Sequence, residues 1–139
     1  YGGSVIECEP TLAAREAAAA AVVARTGAAF VHPYDDARVI AGQGTALLEV
    51  CDDGLRPDLV LAPVGGGGLM SGTALTARAR LPGARVWGAE PAGADDAVRS
   101  LATGVLQPQT APRTIADGLR TALSPLTFEL IRRHVDGIA

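Results

Sequence analysis

From Asp58 to Val64 the chain reads Asp-Leu-Val-Leu-Ala-Pro-Val, and four consecutive glycines come next, Gly65-Gly66-Gly67-Gly68. A short apolar run without alternation suits a strand buried on both faces, as in a parallel sheet. After the glycines, helix formers predict a helix from about Leu69 to Arg80. Pro82-Gly83 turns the chain, and Arg85 to Ala89 has the character of the next strand. Strand, glycine turn, helix and strand in this order predict an α/β domain with a mainly parallel sheet flanked by helices.

The flanking segments extend the pattern. Ser4–Cys8 and Ala28–Val31 read as short strands on either side of a helix, Leu12–Arg25, with Thr11 as its N-cap and Gly27 as its stop. His32-Pro33-Tyr34-Asp35-Asp36 reads as a loop in which Asp35 or Asp36 caps the next helix. Val39, Ile40, Leu47, Val50 and Cys51 then recur at helical spacing between Ala37 and Cys51. Gly42 and Gly44 interrupt that helix, at about 1 kcal/mol each. They mark either close approach of another backbone or ligand, or tight packing of the helix on the sheet. Asp95–Ala102 reads as a short helix and Thr103–Pro112 as a loop. Ser124, with Pro125 at the first helical position, opens a last helix to about His134.

Composition narrows the function. A net charge of −3 gives no electrostatic footprint for nucleic acid or an anionic membrane, and no stretch approaches the length of a membrane span. No basic-then-apolar leader opens the chain, so the expected location is cytoplasmic. Cys8 and Cys51 form no CxxC and read as buried thiols in a reducing compartment. Every basic residue other than the two His is Arg; there is no lysine and no asparagine. A lysine nucleophile therefore cannot come from these 139 residues.

The glycine run is the sharpest chemical signal. A phosphate needs several N–H donors converging on it, and residues without Cβ allow the backbone to turn and approach closely. A succeeding helix adds free N–H groups and the positive end of its dipole. The location, after a strand of an open α/β sheet, is where such sheets bind ligands. Ser71 and Thr73 stand near enough in sequence to add hydroxyls. A glycine-rich turn without a ligand is the alternative. A P-loop is excluded by the missing Lys. A dinucleotide site has Gly65-x-Gly67 and an acid at Glu90, but Met70 stands where the third glycine belongs.

A second cluster, Glu90-Pro-Ala-Gly-Ala-Asp-Asp96, gathers three carboxylates and backbone carbonyls around a small loop. It suits Mg²⁺ or Ca²⁺; equally, it suits a strand end leading into the acidic first turn of a helix. Thr114-Ile-Ala-Asp-Gly118 alone is only a turn signal. His32 and His134 have no partners at metal-ligand spacing, and no GxSxG elbow is present.

In order, Val39-Ile-Ala-Gly-Gln-Gly-Thr45, Val64-Gly-Gly-Gly-Gly-Leu-Met-Ser-Gly72, Glu90-Pro-Ala-Gly-Ala-Asp-Asp96 and Thr114-Ile-Ala-Asp-Gly118 resemble the threonine/serine dehydratases and serine racemases. These are pyridoxal-phosphate enzymes of fold type II, the tryptophan-synthase-β-like fold. The resemblance runs across essentially the whole chain. It implies that Gly65, Gly66, Gly67, Gly68 and Leu69 hold the phosphate of pyridoxal 5'-phosphate through backbone N–H groups, and that Gly118 lies beside the cofactor ring. It implies a divalent cation, Mg²⁺ or Ca²⁺, at Glu90, the carbonyl of Ala94 and Asp96, as in part of the family. It implies that residues 1–34 close the small, mobile domain, that residues 35–139 belong to the large cofactor-binding domain, and that the parent is a homo-oligomer.

The chain departs from the family in what it lacks. The Schiff-base lysine and the Ser and Asn that grip substrate lie upstream in the family, and the Ser or Thr at the pyridine nitrogen lies downstream. The expectation is the central part of a fold type II enzyme, carrying no catalytic residue of its own. Its parent would convert L-threonine or L-serine to a 2-oxo acid and ammonia, a reading that Tyr34-Asp35-Asp36 favours. Serine racemisation on the same scaffold and a non-catalytic cofactor-binding fragment are the alternatives.

Overall fold

The computed structural model describes residues 2–139. Two compact units are present, one ending at Val31 and the other running from His32 to Ala139. The first contains α1 (Leu12–Thr26), capped by the Thr11 hydroxyl, which accepts from the Ala14 N–H, and stopped by Gly27 in the left-handed conformation. No residue of α1 is buried. Ser4–Cys8 and Ala28–Val31 are not strands. A strand exists only by pairing, and neither segment has a partner strand among the described residues. Cys8 is exposed rather than buried; only Cys51 lies in the core.

The second unit holds the predicted α/β layer. It contains α2 (Ala37–Asp52), β1 (Leu59–Pro63), α3 (Gly68–Arg80), β2 (Arg85–Ala89), α4 (Asp96–Thr103), a 3₁₀ turn (Asp117–Leu119), α5 (Pro125–His134) and β3 (Gly137–Ile138). The sheet is parallel throughout, in the order β1-β2-β3, with Leu59 opposite Arg85 and Trp87 opposite Gly137. The fold class expected from the sequence, a parallel sheet flanked by helices, is the one observed.

One face of the sheet carries the core. Val60, Ala62 and Val86 meet Met70, Ala74 and Ala77 of α3, with Leu47 and Cys51 of α2 and Ile131 of α5 completing the cluster. The opposite face is open. Leu59 and Leu61 are 48% and 60% exposed, and with Arg85, Trp87 and Ala139 they line a shallow hollow of about 210 Å³. Burial of β1 on both faces therefore does not hold. The apolar run shows that both faces suit apolar neighbours, and these residues supply neighbours for one face only.

Gly42 and Gly44 do not break α2. Gly44 meets α3 closely: a Cβ there would lie 2.9 Å from the Gly72 carbonyl oxygen and from Thr76 Oγ1, while the Thr76 hydroxyl donates to the Gly44 carbonyl at 2.9 Å. The close approach is between two helices rather than helix and sheet. Gly42 is exposed with open space beside it. At the far end, Asp136 accepts from the Val86 N–H at 2.7 Å and from Arg78 at 2.8 Å, and Arg78 also donates to the carbonyls of His134 and Ala84. This cluster fastens β3 to β2 and α3.

Candidate functional site

The glycine run leaves the carboxyl end of β1 and opens α3. Gly65 and Gly67 have φ of +53° and +87°, conformations that residues with a Cβ rarely adopt. Close packing constrains all four positions, and at Gly65 and Gly67 it is a second requirement. A Cβ on Gly65 would lie 3.0 Å from the Gly118 carbonyl oxygen, and one on Gly67 would lie 2.7 Å from Cβ of Thr127 and 2.8 Å from Cδ2 of Leu123. Gly66 and Gly68 both face Tyr34: a Cβ on Gly66 would meet the ring at 2.5 Å from Cε1 and Cγ, and one on Gly68 would lie 2.8 Å from Tyr34 Cβ. Gly65–Gly68 are buried, and Leu69 is half-buried in the first turn of α3.

Among the described residues, α3 differs from the other α-helices at its N-terminus. Thr11, Asp36 and Ser124 cap α1, α2 and α5 with side-chain oxygens, and Glu90 does so for α4. Gly67, the N-cap of α3, has no side chain, and no side-chain hydrogen bond caps that end. Its leading N–H groups and dipole are thus presented without an anion of the protein. That uncapped donor set fits a phosphate, on a backbone whose Cβ positions are already taken by Tyr34, Gly118, Leu119, Leu123 and Thr127. Ser71, one turn on, is fully buried and its Oγ has no hydrogen-bond partner among the described residues; Thr73 is also buried.

The predicted acidic site leaves the same edge of the sheet, from the neighbouring strand: the Val64 N–H donates to the Ala89 carbonyl at 3.1 Å, and Glu90 comes next. Both Glu90 carboxylate oxygens accept N–H groups of α4, from Ala97 at 3.2 Å and Val98 at 2.9 Å. Asp95 pairs with Arg99 at 2.8 Å. Asp96 is fully buried, and its oxygens accept from Gln109 Nε2 at 2.9 Å and the Leu123 N–H at 3.1 Å. Ala94 is buried in the loop, its N–H bonded to the Pro91 carbonyl.

The charge balance of this cluster is unusual. Burial, with the nearby Asp96 and Asp95 charges, pushes Glu90 up to about 7, against the two N–H bonds that favour its ionised form. Burial also pushes Asp96 up. Among the described residues, Arg99 is the one cation paired to the cluster, and it is spent on Asp95. The donor set fits a hard cation in charge and atom type, while its hydrogen bonds already satisfy each carboxylate oxygen of Glu90 and Asp96.

The structure brings Gly118 to the glycine run and joins the two loops through Leu123, whose side chain backs Gly67 and whose N–H holds Asp96. It also adds Tyr34, Leu123 and Thr127, which sequence patterns do not connect to the glycines. The sole sequence signal for any of them is an aromatic beside the α2 cap. Tyr34 is fixed there because the His32 imidazole Nδ1 accepts the Tyr34 and Asp35 N–H groups at 3.3 and 2.8 Å, and Asp36 caps α2 directly after.

With this geometry the chain matches the pyridoxal-phosphate dependent enzyme family over residues 1–139. It is 51% identical over 99% of its length to the beta-hydroxyaspartate dehydratase of Paracoccus denitrificans (strain Pd 1222), covering 44% of that protein. It superposes on maize serine racemase with a TM-score of 0.93, at 40% identity, covering 99% of this chain and 43% of the racemase. A threonine deaminase from T.th. gives a TM-score of 0.80 at 51% identity over 86% of this chain and 45% of the deaminase. The chain belongs to the pyridoxal-phosphate dependent enzyme family, on the fold type II scaffold. It spans about 44% of the length of the first of these relatives. Among the described residues, no helix is long and apolar enough to cross a membrane.

Proposed function

We propose that these residues form the phosphate seat of a pyridoxal-phosphate dependent lyase whose substrates are the β-hydroxy amino acids L-threonine or L-serine, with a 2-oxo acid and ammonia as products. The observation that carries the reading is the α3 N-terminus, left without a side-chain acceptor behind four glycines that exclude every Cβ. Gly65, Gly66, Gly67, Gly68 and Leu69 would hold the phosphate by backbone N–H groups, and Gly118, against Gly65, would lie beside the ring. When bound, the cofactor supplies an electron sink for the amino acid's α-carbon. This chain's part is binding and orientation. It contains no lysine, so the Schiff-base lysine that the resemblance implies, and any proton transfer it carries, would belong to residues outside these. In this reading residues 1–34 close the small domain and residues 35–139 belong to the large one.

The lyase reading draws support from the dehydratase and deaminase relatives, each 51% identical. Racemisation of serine is the second reading, favoured by the close superposition on maize serine racemase. Incubating the full-length protein with pyridoxal 5'-phosphate and L-serine or L-threonine separates them. The lyase reading expects a 2-oxo acid and ammonia; D-serine formed faster than 2-oxo acid would overturn it. Borohydride reduction and then peptide mapping test the division of labour. The pyridoxyl group is expected on a lysine outside these residues, and a protein with no labelled lysine would be a cofactor-binding module only.

A divalent cation, Mg²⁺ or Ca²⁺, at Glu90, the Ala94 carbonyl and Asp96 belongs to the same proposal. The burial of Glu90 and Asp96, with the Asp96 and Asp95 charges adding to the rise at Glu90, supports it. Its role would be to hold the end of β2 to α4.

A further inference from the structure

Two of the four glycines are covered by one side chain. Gly66 and Gly68, two residues apart, face the same residue: the Tyr34 ring lies where a Cβ of Gly66 would project, and Tyr34 Cα and Cβ stand 3.0 and 2.8 Å from a Cβ of Gly68. Tyr34 is itself held from both sides in sequence. His32 Nδ1 binds the Tyr34 and Asp35 N–H groups, the His32 and Tyr34 rings meet edge to face at 4.5 Å, and Asp36 locks α2 by accepting the Arg38 N–H at 2.8 Å. A planar ring on a rigid mount thus backs the stretch of backbone with the greatest intrinsic freedom to lose.

Consecutive glycines have more conformations to lose than any other sequence. A four-glycine loop binds an anion well only if something other than the anion fixes its N–H directions beforehand. Gly65 and Gly67 are fixed by the 3₁₀ turn and α5. At Gly66 and Gly68 the atoms nearest to the Cβ position all belong to Tyr34.

We propose that Tyr34 is a positioning residue of the phosphate seat, its ring and Cβ setting the backbone of Gly66 and Gly68 so that the loop is ordered before the phosphate arrives. The inference rests on the reading of the glycine run as that seat. It requires the ring, not the hydroxyl.

The test uses the full-length protein freed of cofactor, comparing pyridoxal 5'-phosphate with pyridoxal, which lacks the phosphate. Wild type is expected to prefer the phosphorylated form strongly. Tyr34→Phe should keep that preference. Tyr34→Leu should weaken pyridoxal 5'-phosphate binding about tenfold or more and leave pyridoxal within about twofold, since only the phosphate's preorganised donors are disturbed. Equal weakening of both ligands, or no weakening, overturns the role of Tyr34 while the seat stands. A wild type that does not distinguish the two ligands overturns the seat and the role of Tyr34 with it. A second measurement needs no variant: in a titration with inorganic phosphate, the amide resonances of Gly65–Leu69 and the ring resonances of Tyr34 should shift with one affinity. Amide shifts with a silent ring would also overturn the proposal.

Discussion

Two loops leave the carboxyl edge of the sheet from adjacent strands, and they are chemical opposites. The loop after β1 is all backbone donor: four glycines and the bare start of α3. The loop after β2 is all acceptor: three carboxylates, every oxygen of Glu90 and Asp96 already accepting an N–H. Each loop also opens a helix, but only the second brings its own cap, since Glu90 reaches forward to the N–H groups of Ala97 and Val98. A helix that satisfies its own N-terminus asks nothing of a ligand. One that does not leaves its N–H groups for water or for an anion from outside. The pair therefore divides into a loop made for a ligand and a loop that first makes structure.

The contrast breaks most visibly at Gly67. Its φ of +87° disfavours any Cβ, and Thr127 and Leu123 occupy the space the Cβ would need. Gly67→Ala should cost about 3–4 kcal/mol, strain and overpacking adding together. It should also abolish discrimination between pyridoxal 5'-phosphate and pyridoxal. Urea unfolding and ligand titration check the two halves. A variant with wild-type stability and wild-type phosphate preference would mean that the loop is no cradle.

The acceptor loop should respond to the loss of Asp96 through structure rather than through an emptied ligand site. Asp96→Ala strips a buried acceptor from Gln109 and from the Leu123 N–H. Leaving buried donors unpaired costs about 2–3 kcal/mol. Because Leu123 also backs Gly67, the damage should reach the donor loop as faster hydrogen exchange at Gly67 and Gly68, whether or not Mg²⁺ or Ca²⁺ is present. Unchanged exchange there would show that the two loops are independent.

Features that depend on neighbours in sequence are legible in the chain, and those that depend on distant partners are not. The β1–glycine–α3–β2 unit is of the first kind, because an apolar run, a break and a helical stretch are local signals. Ser124-Pro125 marks the start of α5 for the same reason. Ser4–Cys8 and Ala28–Val31 mislead because β character becomes a strand only with a partner. Gly42 and Gly44 look alike in sequence, yet only Gly44 meets another backbone, and that contact depends on where Gly72 falls on α3. Glu90 is legible as an acid at a strand end, but not as the cap of α4, because that role needs the loop to fold back on itself. Tyr34 is legible only as an aromatic beside the α2 cap, not as a neighbour of the glycines. Its link to Gly66 and Gly68 is a tertiary contact between segments that share no motif.

The smallest expected effect is a test of whether the acceptor loop also takes a ligand. Glu90 has its pKa raised from 4.5 to about 7 on folding. Between those values the folded chain keeps a proton that the unfolded chain has released. The contribution to stability is therefore complete below about 4.5 and is lost as pH rises through about 7. Glu90 is only partly buried, so solvent screening limits the loss to the order of 1–2 kcal/mol. Unfolding free energies of wild type and Glu90→Gln, measured from pH 4.5 to about 8, isolate that slope because only wild type carries the titrating group. Ca²⁺ should flatten the wild-type slope if Glu90, the Ala94 carbonyl and Asp96 hold it, since a cation favours the ionised carboxylate and replaces the missing positive partner. It should leave the slope of Glu90→Gln unchanged. Identical wild-type slopes with and without Ca²⁺ would leave the acceptor loop as a cap alone, and the phosphate seat as the single ligand site of this sheet edge.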